Sequence, residues 1–101
     1  MQHTMYLFSG QETKFASAVF STFEKAKNWV EQNHLSGMLI EYPIDESCYD
    51  WAIQQGHFTQ LSAIDKAPIF IERFVSIYQK RWHFVHGEIV SSSTYQDLIY
   101  C

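Results

Sequence analysis

Long apolar runs are missing from this sequence: nowhere do eighteen hydrophobic residues follow one another, so no segment is a candidate to span a bilayer as a helix. Glycine and proline are scarce, four and two in 101 residues, which argues against disorder and long linkers. Cysteine is scarcer in effect, because Cys48 and Cys101 form no C-x-x-C pair. The opening MQHTMYLFSG has neither the basic n-region nor the long apolar h-region of a secretion signal. Reduced thiols in a cytoplasmic protein are therefore the expectation. The most informative scarcity is of positive charge. Residues 28–65 contain no Lys or Arg but hold Glu31, Glu41, Asp45, Glu46, Asp50 and Asp65, while the segments on either side each balance at +1. Nucleic-acid binding needs phosphate-neutralising cations and is disfavoured by this pattern. A cationic partner is favoured.

Aromatic residues are plentiful instead: 8 Phe, 6 Tyr and 3 Trp. Each can bury ~150–250 Å², so residues 1–101 can form a single globular domain with a stable core, without disulfides or metal. Tyr and Trp left half exposed are common interface anchors.

The patterning predicts strands at residues 5–8 and 15–20, antiparallel to one another across a polar turn at Gly10. Ser21 is read as a helix cap, with Glu24 completing a capping box and Phe23, Ala26 and Val30 forming the buried stripe. Residues 33–37 end that helix, and a strand at 38–42 stops at Pro43. Asp45 is read as the cap of a helix over 46–55 with Gly56 at its C′ position, placing Glu46, Asp50 and Gln54 on one face. Asp65 is read as the cap of a third helix, over 66–79, with Pro68 in its first turn. Ala67, Phe70, Ile71, Phe74, Ile77 and Tyr78 would be its apolar stripe. WHFV-HG-EIV reads as a hairpin turning at His86-Gly87, and STYQDLIY as a short terminal helix behind a serine cap. The fold class expected is α+β: a small, mostly antiparallel sheet of about five strands with three helices packed on it.

Candidate chemistry is thin. Paired carboxylates do acid–base work only where their environments push their pKa values apart, and four acids on a loop and helix start look solvated instead. His83 and His86 are separated by an odd number along a strand, and no Cys or carboxylate spacing completes a zinc set with His34 or His57. Cys48 in a first helical turn could be a nucleophile, but Glu46 and Asp50 flank it, and its spacing from Trp51 and Ala52 suits a buried residue. No phosphate loop or serine-hydrolase pattern is present, so a non-enzymatic protein without metal or cofactor is expected. Docking fits better. The acids Glu41, Asp45, Glu46 and Asp50 supply steering charge, and Tyr42, Tyr49 and Trp51 supply anchoring area. A plainly solvated helix face over a core Tyr49 or Trp51 is the simpler alternative.

FSGQETKFASAVFSTFEKAKNWVEQNHLSGMLIEYPIDESCYDWAIQQGHF resembles a family of small bacterial proteins of unknown function. The shared features are an F-x-G opening, an F-A-S-x-V-F-like strand and a tryptophan-bearing helix, then L-S-G-x-L-x-E-Y-P followed by an acid, and Y-D-W-A-I-x-x-G-x-F. The likeness is close over residues 6–58 and looser through FIERFVSIYQKRWHFVHG. The family brings no established activity. Its size and charge resemble those of immunity proteins in contact-dependent or polymorphic toxin systems. That resemblance implies a protein that binds one toxin domain, commonly a basic nuclease, and blocks its active site, as a monomer or weak dimer. The alternative is a non-catalytic domain that binds a small molecule or self-associates.

Overall fold

The computed structural model describes residues 3–93. Within them the α+β architecture expected from the sequence is the one observed: a five-stranded antiparallel sheet and three α-helices. Chain order gives β1 (Thr4–Gly10), β2 (Ala16–Phe20), α1 (Phe23–Gln32), β3 (Gly37–Pro43), α2 (Cys48–Gln54), α3 (Pro68–Arg73), β4 (Arg81–Val85) and β5 (Glu88–Ser93). In space the strands lie β2-β1-β3-β4-β5, so α1 carries the chain across β1 from the sheet's edge to its centre. The terminal helix expected in residues 93–100 lies outside the described residues from 94 on, and Ser93 itself ends β5.

Register decides which side chains meet. Phe8 stands opposite Leu39, and Leu39 opposite Trp82, so all three share one face. That face meets Ala26 and Val30 of α1, and Phe8, Ala26, Val30, Leu39 and Phe84 form the buried core. Trp29 closes it edge-on to Phe8 at 5.6 Å, and Phe23 packs on Trp82 at 4.5 Å. Such ring pairs add ~0.5–1.5 kcal/mol each beyond their area. Gly10 faces Gly37 where β1 and β3 come closest, and a Cβ on Gly37 would stand 2.2 Å from the Ser9 carbonyl oxygen.

Helix ends depart from the sequence reading in physically clear ways. Thr22, not Ser21, caps α1: its backbone is extended and its hydroxyl accepts from the Lys25 amide. The N3 residue is then Lys25, so no carboxylate returns to the cap, and Glu24 instead sits in the first turn, where the helix dipole favours it. At the other end His34 takes the left-handed C′ place, with Leu35 N–H donating to Val30 O and His34 N–H to Glu31 O. Gly56 fills the same place after α2 as expected, with φ 76°.

The third helix is much shorter than residues 66–79. After a single 3-10 turn at Ile64–Lys66, α3 runs only from Pro68 to Arg73. Asp65 is not its cap, since Ala67 occupies that position without a side-chain bond, and Pro68 at N1 sets the start. Beyond Arg73, side chains take over the backbone: Gln79 Oε1 accepts from Ser76 N–H at 2.7 Å and Ser76 Oγ from Tyr78 N–H at 2.9 Å. Arg81 holds the Ser76 carbonyl at 2.5 Å. These bonds compete with helix continuation, and β-branched Val75 and Ile77 add little helical preference against them. Ile71 and Ile77 consequently stand exposed rather than in the apolar stripe. The hairpin turns at His86-Gly87 as expected, both with positive φ, and Gly87 N–H donates to Leu35 O at 2.8 Å, seating the turn on the end of α1.

Candidate functional site

Between β3 and β4 the chain leaves the sheet for residues 44–80, and every acid of the central segment except Glu31 and Glu41 belongs to this excursion. Its own small core is aromatic. Tyr49 of α2 packs against Phe58 at 5.7 Å, Phe70 at 6.2 Å and Phe74 at 5.6 Å. Tyr49 is only 4% exposed, and its hydroxyl donates to the Asp65 carbonyl at 2.6 Å while accepting from Gln60. Tyr49 is thus a core residue joining α2 to α3, and its reading as a partner-binding anchor is corrected. Tyr49, Phe58, Phe70 and Phe74 form a second aromatic cluster apart from the sheet core.

The other expected contact residues fall in three places. Glu41 points to the α1 face of the sheet opposite Tyr6, whose hydroxyl donates to its Oε2 at 2.8 Å. Tyr42, next along the strand, points to the opposite face and is half-buried. Glu41 and Tyr42 therefore present no common surface. Trp51 is half-buried against His57 at 5.5 Å, and His57 stacks on Tyr78 at 4.0 Å. Asp45 and Asp50 are exposed and Glu46 is half-buried.

Asp45 does not cap α2. Its φ of 60° is unsuited to a cap residue, and Ser47 takes the role, its hydroxyl accepting from Asp50 N–H at 2.9 Å. Glu46 consequently precedes the helix and does not share a helical face with Asp50 and Gln54. The outcome still gathers Asp45, Glu46 and Asp50 around one loop and one first turn. Among the described residues the one ion pair is Lys27 with Glu31, one turn apart on α1, so no lysine or arginine neutralises these three carboxylates. Asp65 Oδ2 is engaged by the Leu61 and Ser62 amides at 2.9 and 3.1 Å.

The unforeseen feature lies beside them. Leu61 (85% exposed), Ile64 (73%), Ile69, Val75 and Ile77 are aliphatic side chains left in solvent. Ile64, Ile69, Phe70, Arg73, Phe74 and Val75 line an open groove of about 480 Å³. Phe70 and Phe74 face Tyr49 as well as the groove, so the acidic turn of α2 and the apolar groove of α3 are joined through one aromatic cluster. Aliphatic surface of this kind marks interaction sites. No sequence signal pointed to it: residues 74–79 contain neither Gly nor Pro and keep the helical apolar period.

Ionisation follows burial here. Desolvation raises the Tyr42 hydroxyl above the ordinary tyrosine range, with the nearby Cys48 adding and Arg81 opposing. Desolvation likewise raises the half-buried Cys48 thiol, against a Gln79 hydrogen bond that lowers it. Cys48 is therefore held protonated, the reverse of what a nucleophilic thiol requires. A second cleft of about 460 Å³ lies at the C-terminus of α1, lined by Lys27, Glu31, His34, His86, Gly87, Glu88 and Ile89. Lys27 is paired with Glu31 there, and no three His, Cys, Asp or Glu side chains gather to hold a metal ion among the described residues. No described helix is long and apolar enough to cross a membrane.

A family model described as a domain of unknown function (DUF7710) matches residues 5–90. No curated protein and no solved structure matches the chain.

Proposed function

The chain belongs to this family, whose description assigns no activity, and we propose a role for it from its surface: an immunity-type protein that binds a cognate bacterial toxin domain and blocks its active site. The observation that carries the reading is the pairing, within residues 44–80, of the unneutralised carboxylates Asp45, Glu46 and Asp50 with the exposed aliphatic groove of α3. A nuclease is cationic where it holds phosphates, and fixed carboxylates can occupy that ground. Charge steers the encounter, and apolar area desolvated at the centre of the contact slows departure. Ile64, Ile69 and Val75 take the anchoring role first read for Tyr42, Tyr49 and Trp51. No catalysis and no cofactor enter this reading, and the protein acts from the cytoplasm.

Capture on the immobilised chain, purification of what binds, and titration against it provide the test. D45K/D50K should retain the wild-type circular dichroism, and association should slow about tenfold or more, most at low salt. The captured protein should lose its own activity when bound. Equal association by D45K/D50K removes this face from the reading. The alternative, a small apolar ligand in the 480 Å³ groove, is favoured by the groove alone and would be indifferent to that double reversal.

A further inference from the structure

Two strands end the sheet among the described residues, and they differ in charge. Backbone N–H and C=O groups along an outer edge form a template for another strand, and proteins usually blunt such edges with charge, proline or a bulge. Each outer ladder slips once, β2 against β1 at Phe8/Ser9 and β5 against β4 at His83/Phe84, so the slip does not separate the edges. β5 is blunted by the charge of Glu88 at its start, although its Val90 is 57% exposed. β2 is not. ASAVF contains no charge and no proline, and no described residue pairs with its outer side. Val19 is 57% exposed on the face away from α1, and Phe15, just before the strand, is 81% exposed.

We infer that β2 is a self-association edge, on which a second copy of this chain adds its own β2 in antiparallel register to make one ten-stranded sheet. Pairing of β2 with the same strand of a second copy is isologous, so this contact closes as a dimer instead of propagating as a fibre. Each end of the strand carries one acid and one base, Glu12 and Lys14 before it and Glu24 and Lys25 after it. Exposed Lys14 precedes β2 and exposed Glu24 follows it in the first turn of α1. A two-fold axis brings the Lys14 end of each copy beside the Glu24 end of the other. Repulsion is small at this edge, because residues 1–27 balance at +1 and the carboxylates of 44–80 follow β3, on the far side of β1. Val19 meets the partner's strand on one face, at the ~4.5–5.5 Å Cβ spacing of cross-strand neighbours. One short strand contributes little area, so the dimer is weak and concentration-dependent, with a dissociation constant of ~10–100 µM. It uses a surface apart from residues 44–80, so it stands or falls independently of the toxin-docking reading.

Sedimentation equilibrium of the full chain, from about 10 µM to about 1 mM at low salt, reads the mass directly. The expected result is a rise from one chain mass toward two. V19K, at an exposed position, should weaken the dimer at least tenfold while keeping the monomer's circular dichroism. K14E should weaken it, and K14E/E24K should restore it; this charge swap serves as the second test should V19K disturb the fold. A single chain mass throughout overturns the inference. So does a dimer that survives V19K, fails to recover in K14E/E24K, or is instead abolished by V75E in the α3 groove.

Discussion

Gly37→Ala should be among the most damaging single-methyl additions this protein can receive. The added Cβ would lie 2.2 Å from Ser9 O, 2.9 Å from Gly10 Cα and 2.9 Å from Phe8 Cζ, all well inside ordinary contact. Two of those atoms are backbone of β1, which is held on both sides by β2 and β3. The third is the ring of Phe8, 2% exposed at the centre of the core. Nothing flexible can yield. Overpacking a core costs ~1–3 kcal/mol, and each ladder hydrogen bond lost as β3 is pushed off β1 costs ~0.5–1.5 more. A total of ~3–5 kcal/mol is a large part of the ~5–15 kcal/mol typical of a domain. At ~4–8 °C per kcal/mol, Tm should fall by at least ~12 °C. Gly56→Ala is the matched control, since φ is 76° there but nothing lies within 4 Å, leaving only the ~1–2 kcal/mol backbone term. Urea unfolding followed by tryptophan fluorescence measures both, as midpoint shifts at unchanged m. Gly37→Ala costing no more than Gly56→Ala would refute the close-approach argument.

Ser47→Ala should cost ~1 kcal/mol through loss of the α2 cap, while Asp45→Gly, relieving a φ of 60°, should be neutral or gain ~0.5–1 kcal/mol. The reverse order in denaturant midpoints would restore Asp45 as the cap. Stability should also fall in alkali. Burial is the first cause holding the protons of Tyr6, Tyr42 and Cys48 above their ordinary range, with the Glu41 hydrogen bond adding to it at Tyr6. The unfolded chain ionises first, so each contribution is full below the unfolded pKa and lost as pH rises through the folded one. Urea midpoints should begin to drop above pH ~8.5 and continue past ~10; a flat profile would contradict the sign.

The comparison of sequence with structure turns on range. Alternating and helical periods located β1, β3, β4 and α1, because one face of each is buried, while the exposed β2 and β5 were located by their apolar content and the turns beside them. His86-Gly87 and Gly56 were legible for another local reason: a positive φ needs a residue type that tolerates it. The acids of the central segment were legible as an excess of charge, yet not as a surface. Adjacent positions on a strand point oppositely, which parts Glu41 from Tyr42, and Tyr49 turned inward because Phe58, Phe70 and Phe74 converge on it.

What the sequence determined by itself is whatever one turn or one strand can enforce: element type, hairpin chemistry, and a central stretch with no cation to balance it. What only the tertiary structure decided is where competing local bonds win and which strand is left at an edge. Ser76 and Gln79 end α3 early as Arg81 of β4 holds the Ser76 carbonyl, and Val75 beyond the helix end stands in water. β2 is an edge because α1 carries the chain past β1, leaving ASAVF, among the described residues, with a neighbour on one side only. The first outcome is a contest among bonds spanning only three to five residues and the second follows from how strands pair, and an apolar period by itself records neither.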